Sequence, residues 1–402
     1  MKPSGAIPLW WNSLRMARAL AASGGMTPCF IYDLGIVAEK VATLRAALPD
    51  AVGIHYAVKA NPHPAVIAQV AAMVDGLDIA SGGELATVLT AAPGKHVSFA
   101  GPGKRNAEIE AAISAGATLN LESAREAERA LAIAERLGIR PKLAVRVNPD
   151  FALKGSGMKM GGGAAAFGVD AENVVPLVRR LIDAGADWQG FHIFAGSQAL
   201  DSDAIAATQA ATVELAGRLA DGVGAAPPLV NLGGGFGIPY FAGDATVDVA
   251  SVGARLGEVL AARGASLGDT FFAIELGRWL VGECGVYLTR IIDRKESRGE
   301  TFLVTDGGLH HQLAASGNFG TVVRRNYPIA VASCFGAEAT ESVNVVGCLC
   351  TPLDKLGDGV ALPHADVDDV IAVFMAGAYG ASASPAAFLG HGSAAEIVIG
   401  ET

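Results

Sequence analysis

Several side chains in this sequence have the types and spacing for carbonyl and carbanion chemistry. Lys59 ends an apolar run, in Tyr56-Ala-Val-Lys-Ala-Asn61. A lysine at the end of a buried strand must be paired, neutralised or made to react. A covalent bond from its amine to a carbonyl does the last of these; snorkelling to solvent is the plain alternative. Asn231-Leu-Gly-Gly-Gly-Phe-Gly places Gly233, Gly234 and Gly235 after another apolar run, and glycines let backbone N–H groups close on an anion. The spacing is not that of a nucleotide-binding GxxxxGK[ST] loop. With Gly277 and Arg278 this run predicts a phosphate cup. Glu275, in Ile274-Glu-Leu-Gly-Arg278, either pairs with Arg278 or holds a proton on a ring nitrogen. A protonated ring is the better electron sink, which favours α-decarboxylation over racemisation. His192 either stacks on a flat ring or is a satisfied core histidine. Cys350, in Gly347-Cys-Leu-Cys-Thr-Pro-Leu-Asp354, reads as the acid that returns a proton to a carbanion, against an inert core thiol such as Cys348. His310 and His311 are neighbours, expected to point apart on a strand, and no metal site is expected.

A scaffold must bring these groups together. Apolar runs at 53–58, 77–80, 96–99, 118–121, 142–147, 190–194, 229–232 and 272–275 read as eight strands. Amphipathic helices fill most gaps, as at 62–73, 104–115, 123–137 and 201–219. Eight such units predict a (β/α)8 barrel, with a doubly wound sheet as the competitor. Barrel active sites form at the carboxyl ends of the strands. There the sequence gathers Lys59, Asp78, Ser81, Gly101, Glu122, Arg146, His192, the triple glycine, Glu275, Gly277 and Arg278. From about 280 the pattern changes to strands without helices between them: 287–292, 301–305, 342–347, 368–374 and 395–399. The expected domains are a barrel over 31–278 and an antiparallel β domain built from 1–30 and 279–402. Lys154 to Gly163 reads as a glycine-rich loop after the fifth strand.

Composition narrows the class. The chain has 402 residues, about half of them apolar and 17% charged, with a formal charge of −10. That suits a folded protein with a large core and argues against unspecific binding to nucleic acid or anionic membrane. Five cysteines at irregular spacing, Cys29, Cys284, Cys334, Cys348 and Cys350, do not make a disulfide framework and point to a cytoplasmic setting. No signal peptide or membrane span is expected.

Taken in order, these segments resemble the ornithine and diaminopimelate decarboxylases, the fold-type III enzymes dependent on pyridoxal 5′-phosphate (PLP). YAVKAN resembles the cofactor-lysine motif, and Asp78-Ile-Ala-Ser81 with Glu84 the segment after strand two. Phe191-His192 leading to Gly196-Ser197-Gln198 resembles the ring-stacking histidine and a phosphate-binding serine. GGGF and Glu275-Leu-Gly-Arg278 resemble the phosphate loop and the Glu-Pro-Gly-Arg motif. Gly347 to Asp354 resembles the cysteine motif that a second subunit supplies, and Ala376-Gly-Ala-Tyr379-Gly the tyrosine motif near the phosphate. The resemblance implies a PLP-dependent homodimer with shared sites, in which Lys59, His192, Glu275 and Cys350 act. Asp78, Arg146, Ser197 and Tyr379 would contact the cofactor, and Asp306 would line the site.

The substrate is where the sequence departs from the family. Diaminopimelate decarboxylases follow the cysteine with a glutamate and ornithine decarboxylases with an aspartate, each reading a distal ammonium. Here Thr351 and Pro352 follow. His192 and Gly196 are also separated by three residues, where the family usually has one. The Leu349-Cys-Thr-Pro-Leu-Asp354 run, the Lys154–Gly163 loop and Arg324-Arg325-Asn326-Tyr-Pro resemble a branch that includes decarboxylases found with exosortase gene sets and relatives in siderophore or antibiotic assembly. Some act on an amino acid joined to citrate or a carrier protein. Arg324 and Arg325 would suit an anionic extension of the substrate, or lie on a solvated turn. A plain diaminopimelate decarboxylase and a non-catalytic PLP-binding protein are the alternatives.

Overall fold

The computed structural model describes residues 1–155, 157–159, 161–317 and 325–400. By contacts the chain forms two compact units.

The larger unit comprises Lys40–Gly237 and Thr246–Gly277. All eight expected strands are present: Val52–Ala57, Gly76–Ile79, His96–Phe99, Thr118–Leu121, Lys142–Asn148, Asp187–Ile193, Leu229–Gly234 and Phe271–Leu276. Each pairs in parallel with its predecessor. The last pairs with the first, through Ile274 opposite Ile54 and Leu276 opposite Tyr56. That closure excludes the open doubly wound sheet and makes a barrel.

Local sequence sets the helices. Ser81 accepts from the Glu84 amide, and Glu84 reaches back to the Ala80 amide at 2.7 Å. Ser123 caps the helix Ala124–Leu137 in the same way, and Glu126 accepts from the Glu122 amide. Both follow the Ser-x-x-Glu pattern that satisfies orphan donors of the first turn. Gly138, at φ 66°, closes the second of these helices in the left-handed conformation.

The first strand runs directly into a single 3-10 turn, Val58–Ala60. Asn61 N–H donates to the Val58 carbonyl, and Tyr56 Oη donates to the Asn61 carbonyl. This pinned turn projects Lys59 from the carboxyl end of the barrel.

The smaller unit comprises Met1–Glu39, Ile238–Ala245 and Arg278–Thr402. Its long strand Gly285–Ser297 pairs antiparallel with Cys29–Asp33, Glu300–Thr305 and Val370–Phe374. The sheet is mixed rather than antiparallel throughout. Glu300–Thr305 runs parallel to Glu341–Val346, and Cys29–Asp33 parallel to Ala395–Ile399. The long excursion after Thr305 gives the chain room to re-enter from the same end, which a hairpin cannot do. A further strand, Lys355–Leu362, is not evident from its Gly-Asp-Gly centre. It pairs with Glu341–Val346 across register shifts, where neighbouring strands override weak propensity. Among the described residues, no helix is long and apolar enough to cross a membrane.

Candidate active site

The interior of the barrel turns polar toward the carboxyl ends of its strands. Asn120 Nδ2 donates to Ser98 Oγ at 2.6 Å. Above this layer a cavity of about 270 Å³ is walled by Lys59, Asp78, Arg146, His192 and Glu275, with Phe167 and Phe194 among its apolar surfaces. Five residues spread over 217 positions of sequence, Lys59 to Glu275, thus share one chamber.

Glu275 is its electrostatic centre. Oε1 lies 3.4 Å from Lys59 Nζ and Oε2 lies 3.0 Å from His192 Nε2. Burial alone would push this carboxyl up. The Lys59 charge, the His192 hydrogen bond and Arg146 outweigh burial and hold Glu275 well below the usual carboxylate range. Arg278 Nη1 donates to Tyr240 Oη at 2.7 Å. Lys59 is about half exposed, with its ammonium 5.5 Å from the Phe194 ring centroid. The outer nitrogen of His192, Nδ1, and one oxygen of Asp78, Oδ1, are buried without hydrogen-bond partners.

Arg146 Nη1 bonds Glu122 at 3.0 Å and its guanidinium lies 5.1 Å from the Phe167 ring. Glu122 also accepts the Gly168 amide. Beneath the cavity, His55 Nδ1 contacts Asp78 Oδ2 at 3.2 Å. Burial would lower this imidazole, but Asp78, with Glu275 and Asp75 behind it, raises it above its ordinary value.

The glycines are placed where side chains cannot go. Gly233 and Gly235 have φ of 68° and 75°. A Cβ on Gly234 would strike the Glu275 carbonyl, and one on Gly235 the Gly196 carbonyl. Gly234 stands opposite Glu275 in the ladder, so this backbone is pressed against the strand that carries the carboxylate. Gly277 packs on Ala57 and Ala60, on either side of Lys59, and a Cβ there would come within 2.8 Å of Ala60 Cβ. Ser197 lies in a two-residue strand, Gly196–Ser197, paired with Met158–Lys159.

The other candidates belong to the smaller unit. Arg278 stacks at 4.7 Å on Tyr379, which sits at φ 56°. Cys350 is exposed. The adjoining Thr351 accepts the Leu353 amide on its hydroxyl at 3.4 Å. Both Asp306 carboxylate oxygens are engaged within the unit, one by Thr289 and the Arg290 amide, the other by Thr27. Arg325 lies 3.8 Å over the Phe241 ring and 3.6 Å from Asp244. Arg324 lies outside the described residues.

Phe167, Phe194 and His55 were not found by sequence reasoning. His55 had a signal: a histidine one residue short of the Tyr56-Ala-Val-Lys run, inside a buried strand. Phe194 had a weaker one, its place as the last residue of the sixth expected strand, 190–194. Phe167 had none, because it follows an alanine-rich loop.

The residues present fit a pyridoxal group. An amine stands at the mouth for its aldehyde, and a carboxylate held ionised can keep a ring nitrogen protonated. His192 and Asp78, each with a polar atom that lacks a hydrogen-bond partner, line the space, and the glycine turn admits close backbone approach. A parallel barrel with this lysine and this carboxylate at its mouth defines the class, a barrel-type PLP enzyme. Comparison with known proteins narrows it. A family model described as the pyridoxal-binding domain of pyridoxal-dependent decarboxylases matches residues 34–282. The chain is 35% identical to the L-glutamyl-[BtrI acyl-carrier protein] decarboxylase of Niallia circulans, over 92% of this chain and 88% of that one. It is 28% identical to the 2-[(L-alanin-3-ylcarbamoyl)methyl]-2-hydroxybutanedioate decarboxylase of Staphylococcus aureus, over 90% and 91%. The crystal structure of Helicobacter pylori diaminopimelate decarboxylase complexed with L-lysine superposes with a TM-score of 0.81 at 25% identity, covering 93% and 92%. The chain belongs to the pyridoxal-dependent decarboxylase family and is a PLP-dependent carboxy-lyase.

Proposed function

We propose that this decarboxylase acts on an amino-acid moiety held within a larger conjugate, joined to a carrier protein or to a hydroxy-polycarboxylate. One observation carries this reading: the position after Cys350, where a carboxylate would read a distal ammonium, is Thr351, a neutral side chain that accepts a local backbone amide. The names of the Niallia and Staphylococcus relatives support it, one describing a carrier-bound glutamyl group and the other an alanin-3-yl group amide-linked to a hydroxybutanedioate.

Bound PLP supplies the electron sink for the carbanion left as CO2 departs. Lys59 would hold the cofactor through its amine. Glu275, held below the usual carboxylate range, would keep a proton on the ring nitrogen. His192, oriented by its bond to Glu275, would pack against the ring. Arg146, held by Glu122, adds positive charge beside Glu275. Asp78 lines the same cavity as Lys59 and has one oxygen without a hydrogen-bond partner. Backbone amides of Gly233–Gly235, with Ser197 and Gly277, receive the phosphate, and the resemblance adds Arg278 and Tyr379 to that set. Cys350 returns the proton, and by the same resemblance comes from a second copy in a homodimer. Asp306 is read as a support, since its carboxylate is already engaged. Arg325 with Arg324 would read an anionic extension. The irregular spacing of the five cysteines supports a cytoplasmic setting, and the acidic charge speaks against nucleic-acid partners.

The test is CO2 release across free diaminopimelate, ornithine and lysine, citryl-linked diamino acids and aminoacyl carrier proteins. Conjugates are expected to turn over with the higher kcat/KM. Diaminopimelate as the best substrate would overturn the conjugate reading and leave the family activity standing.

A further inference from the structure

We infer that His310, Cys348 and His391 form a binding site for a borderline-soft divalent cation of the zinc class. The three come from separate segments of the smaller unit: the turn after Glu300–Thr305, the cysteine loop, and the stretch before Ala395–Ile399. One potential ligand atom from each lies within 4.8 Å of the others. Cys348 Sγ and His391 Nδ1 are 3.8 Å apart. Tetrahedral zinc sets such atoms about 3.5 Å apart, so a bound ion would draw the set in by about 1 Å.

His310 points to a ligand independently of that spacing. Its side chain is fully buried, and neither ring nitrogen has a hydrogen-bond partner. Leaving both unmet in a core carries the full desolvation cost of each group, a cost that coordination removes. His311 is the internal comparison: its Nδ1 bonds Tyr287 Oη and its Nε2 bonds the Gly392 carbonyl, each at 3.0 Å. The sequence placed these two histidines apart on a strand with no metal site. They lie instead in a turn, with ring centroids 3.8 Å apart, and only one of them is satisfied by protein.

The surroundings hold the ligands in place. Asp354 is buried and accepts the Leu309 amide at 2.6 Å and the Leu349 amide at 2.9 Å. Those are the chain neighbours of His310 and Cys348. The His311 bond to Gly392 fixes the neighbour of His391. One carboxylate and one imidazole therefore position all three ligands, as outer partners do at metal sites. Two imidazoles and a thiolate select zinc, cobalt or copper over magnesium and calcium. Three protein ligands leave a fourth position open.

Cobalt titration of the metal-free, PLP-loaded full chain tests this. Co2+ is expected to give tetrahedral visible bands and a thiolate-to-cobalt charge-transfer band, both displaced by Zn2+. Cys348→Ser should abolish the charge-transfer band, while Cys350→Ser should keep it. His310→Ala and the exposed His391→Ala should each weaken Co2+ binding at least tenfold, with circular dichroism and the cofactor spectrum confirming that they fold. His391→Ala keeps the proposal testable if His310→Ala does not fold. Absence of the band in wild type, its survival in Cys348→Ser, or its loss in Cys350→Ser would overturn the assignment.

Discussion

His192 Nε2 lies 3.0 Å from Glu275 Oε2, and both residues are nearly fully buried. The contact spends one carboxylate oxygen on the histidine and leaves the other toward Lys59 at 3.4 Å. A cofactor ring held between them would meet a carboxylate whose charge is already fixed by two partners. Glu275→Gln keeps the shape and removes that charge. Its kcat is expected to fall about 10²-fold, in the range seen when a fixed electrostatic partner of a developing charge is removed. The bound-cofactor spectrum should persist, and KM should change far less than kcat. Steady-state CO2 release beside the absorbance spectrum checks both; a kcat close to wild type would take Glu275 out of this role.

Two buried groups give opposite pH signatures in the cofactor-free protein. Glu275 is held below the ordinary carboxylate value of about 4.3. It contributes stability in full above that unfolded value and loses it as pH falls through the lower folded one. The stability gap between wild type and Glu275→Gln should be widest above about pH 5 and narrow on acidification. His55 is raised above its ordinary value of about 6.5. Its contribution is complete below that value and is lost as pH rises through the higher folded one. The gap for His55→Gln should therefore narrow on the alkaline side. Denaturant midpoints across pH read both, and parallel gaps at all pH values would contradict them.

Gly235→Ala should weaken PLP binding as well as the fold. The residue sits at φ 75°, and a Cβ would meet the Gly196 carbonyl and come within 3.0 Å of Leu153 Cδ2. The backbone conformation alone costs a residue with a side chain about 1–2 kcal/mol. Relief requires the turn to move away from the Gly196–Ser197 segment. Gly94→Ala is the control, at φ 79° with nothing within 4 Å of its Cβ. It bears the same conformational cost and should leave the PLP dissociation constant unchanged, whereas Gly235→Ala should raise it severalfold in an absorbance titration.

The barrel was legible because strand and helix periods alternate, and Lys59, the triple glycine and Glu275 were legible because each follows an apolar strand in consecutive sequence. What sequence did not reveal is the pairing across the chamber. Glu275 meets His192 across 83 residues and Lys59 across 216, and no local pattern encodes such distances. The same limit hid the parallel pairings of the second sheet and the approach of His391 to Cys348. His310 shows the failure most clearly. Adjacency to His311 suggested opposite directions on a strand, but the chain turns there, and a turn obeys no two-residue period.

Thr351→Glu probes substrate choice at a single position. Thr351 is partly exposed, and its hydroxyl makes only a long bond to the Leu353 amide, so a longer side chain can be accommodated without disturbing Asp354, which anchors the loop through Leu309 and Leu349. A carboxylate at this position would restore a partner for a distal ammonium and would repel an anionic extension. Charge-assisted contacts of that kind contribute about 1.5–3 kcal/mol, equivalent to roughly 10- to 150-fold in a specificity ratio. The variant's kcat/KM for diaminopimelate relative to a citryl- or carrier-linked substrate should rise accordingly, with the cofactor spectrum unchanged. Competition between the two substrates in one vessel, read as products over time, measures the ratio directly, and an unaltered ratio would place the recognition of the distal group elsewhere.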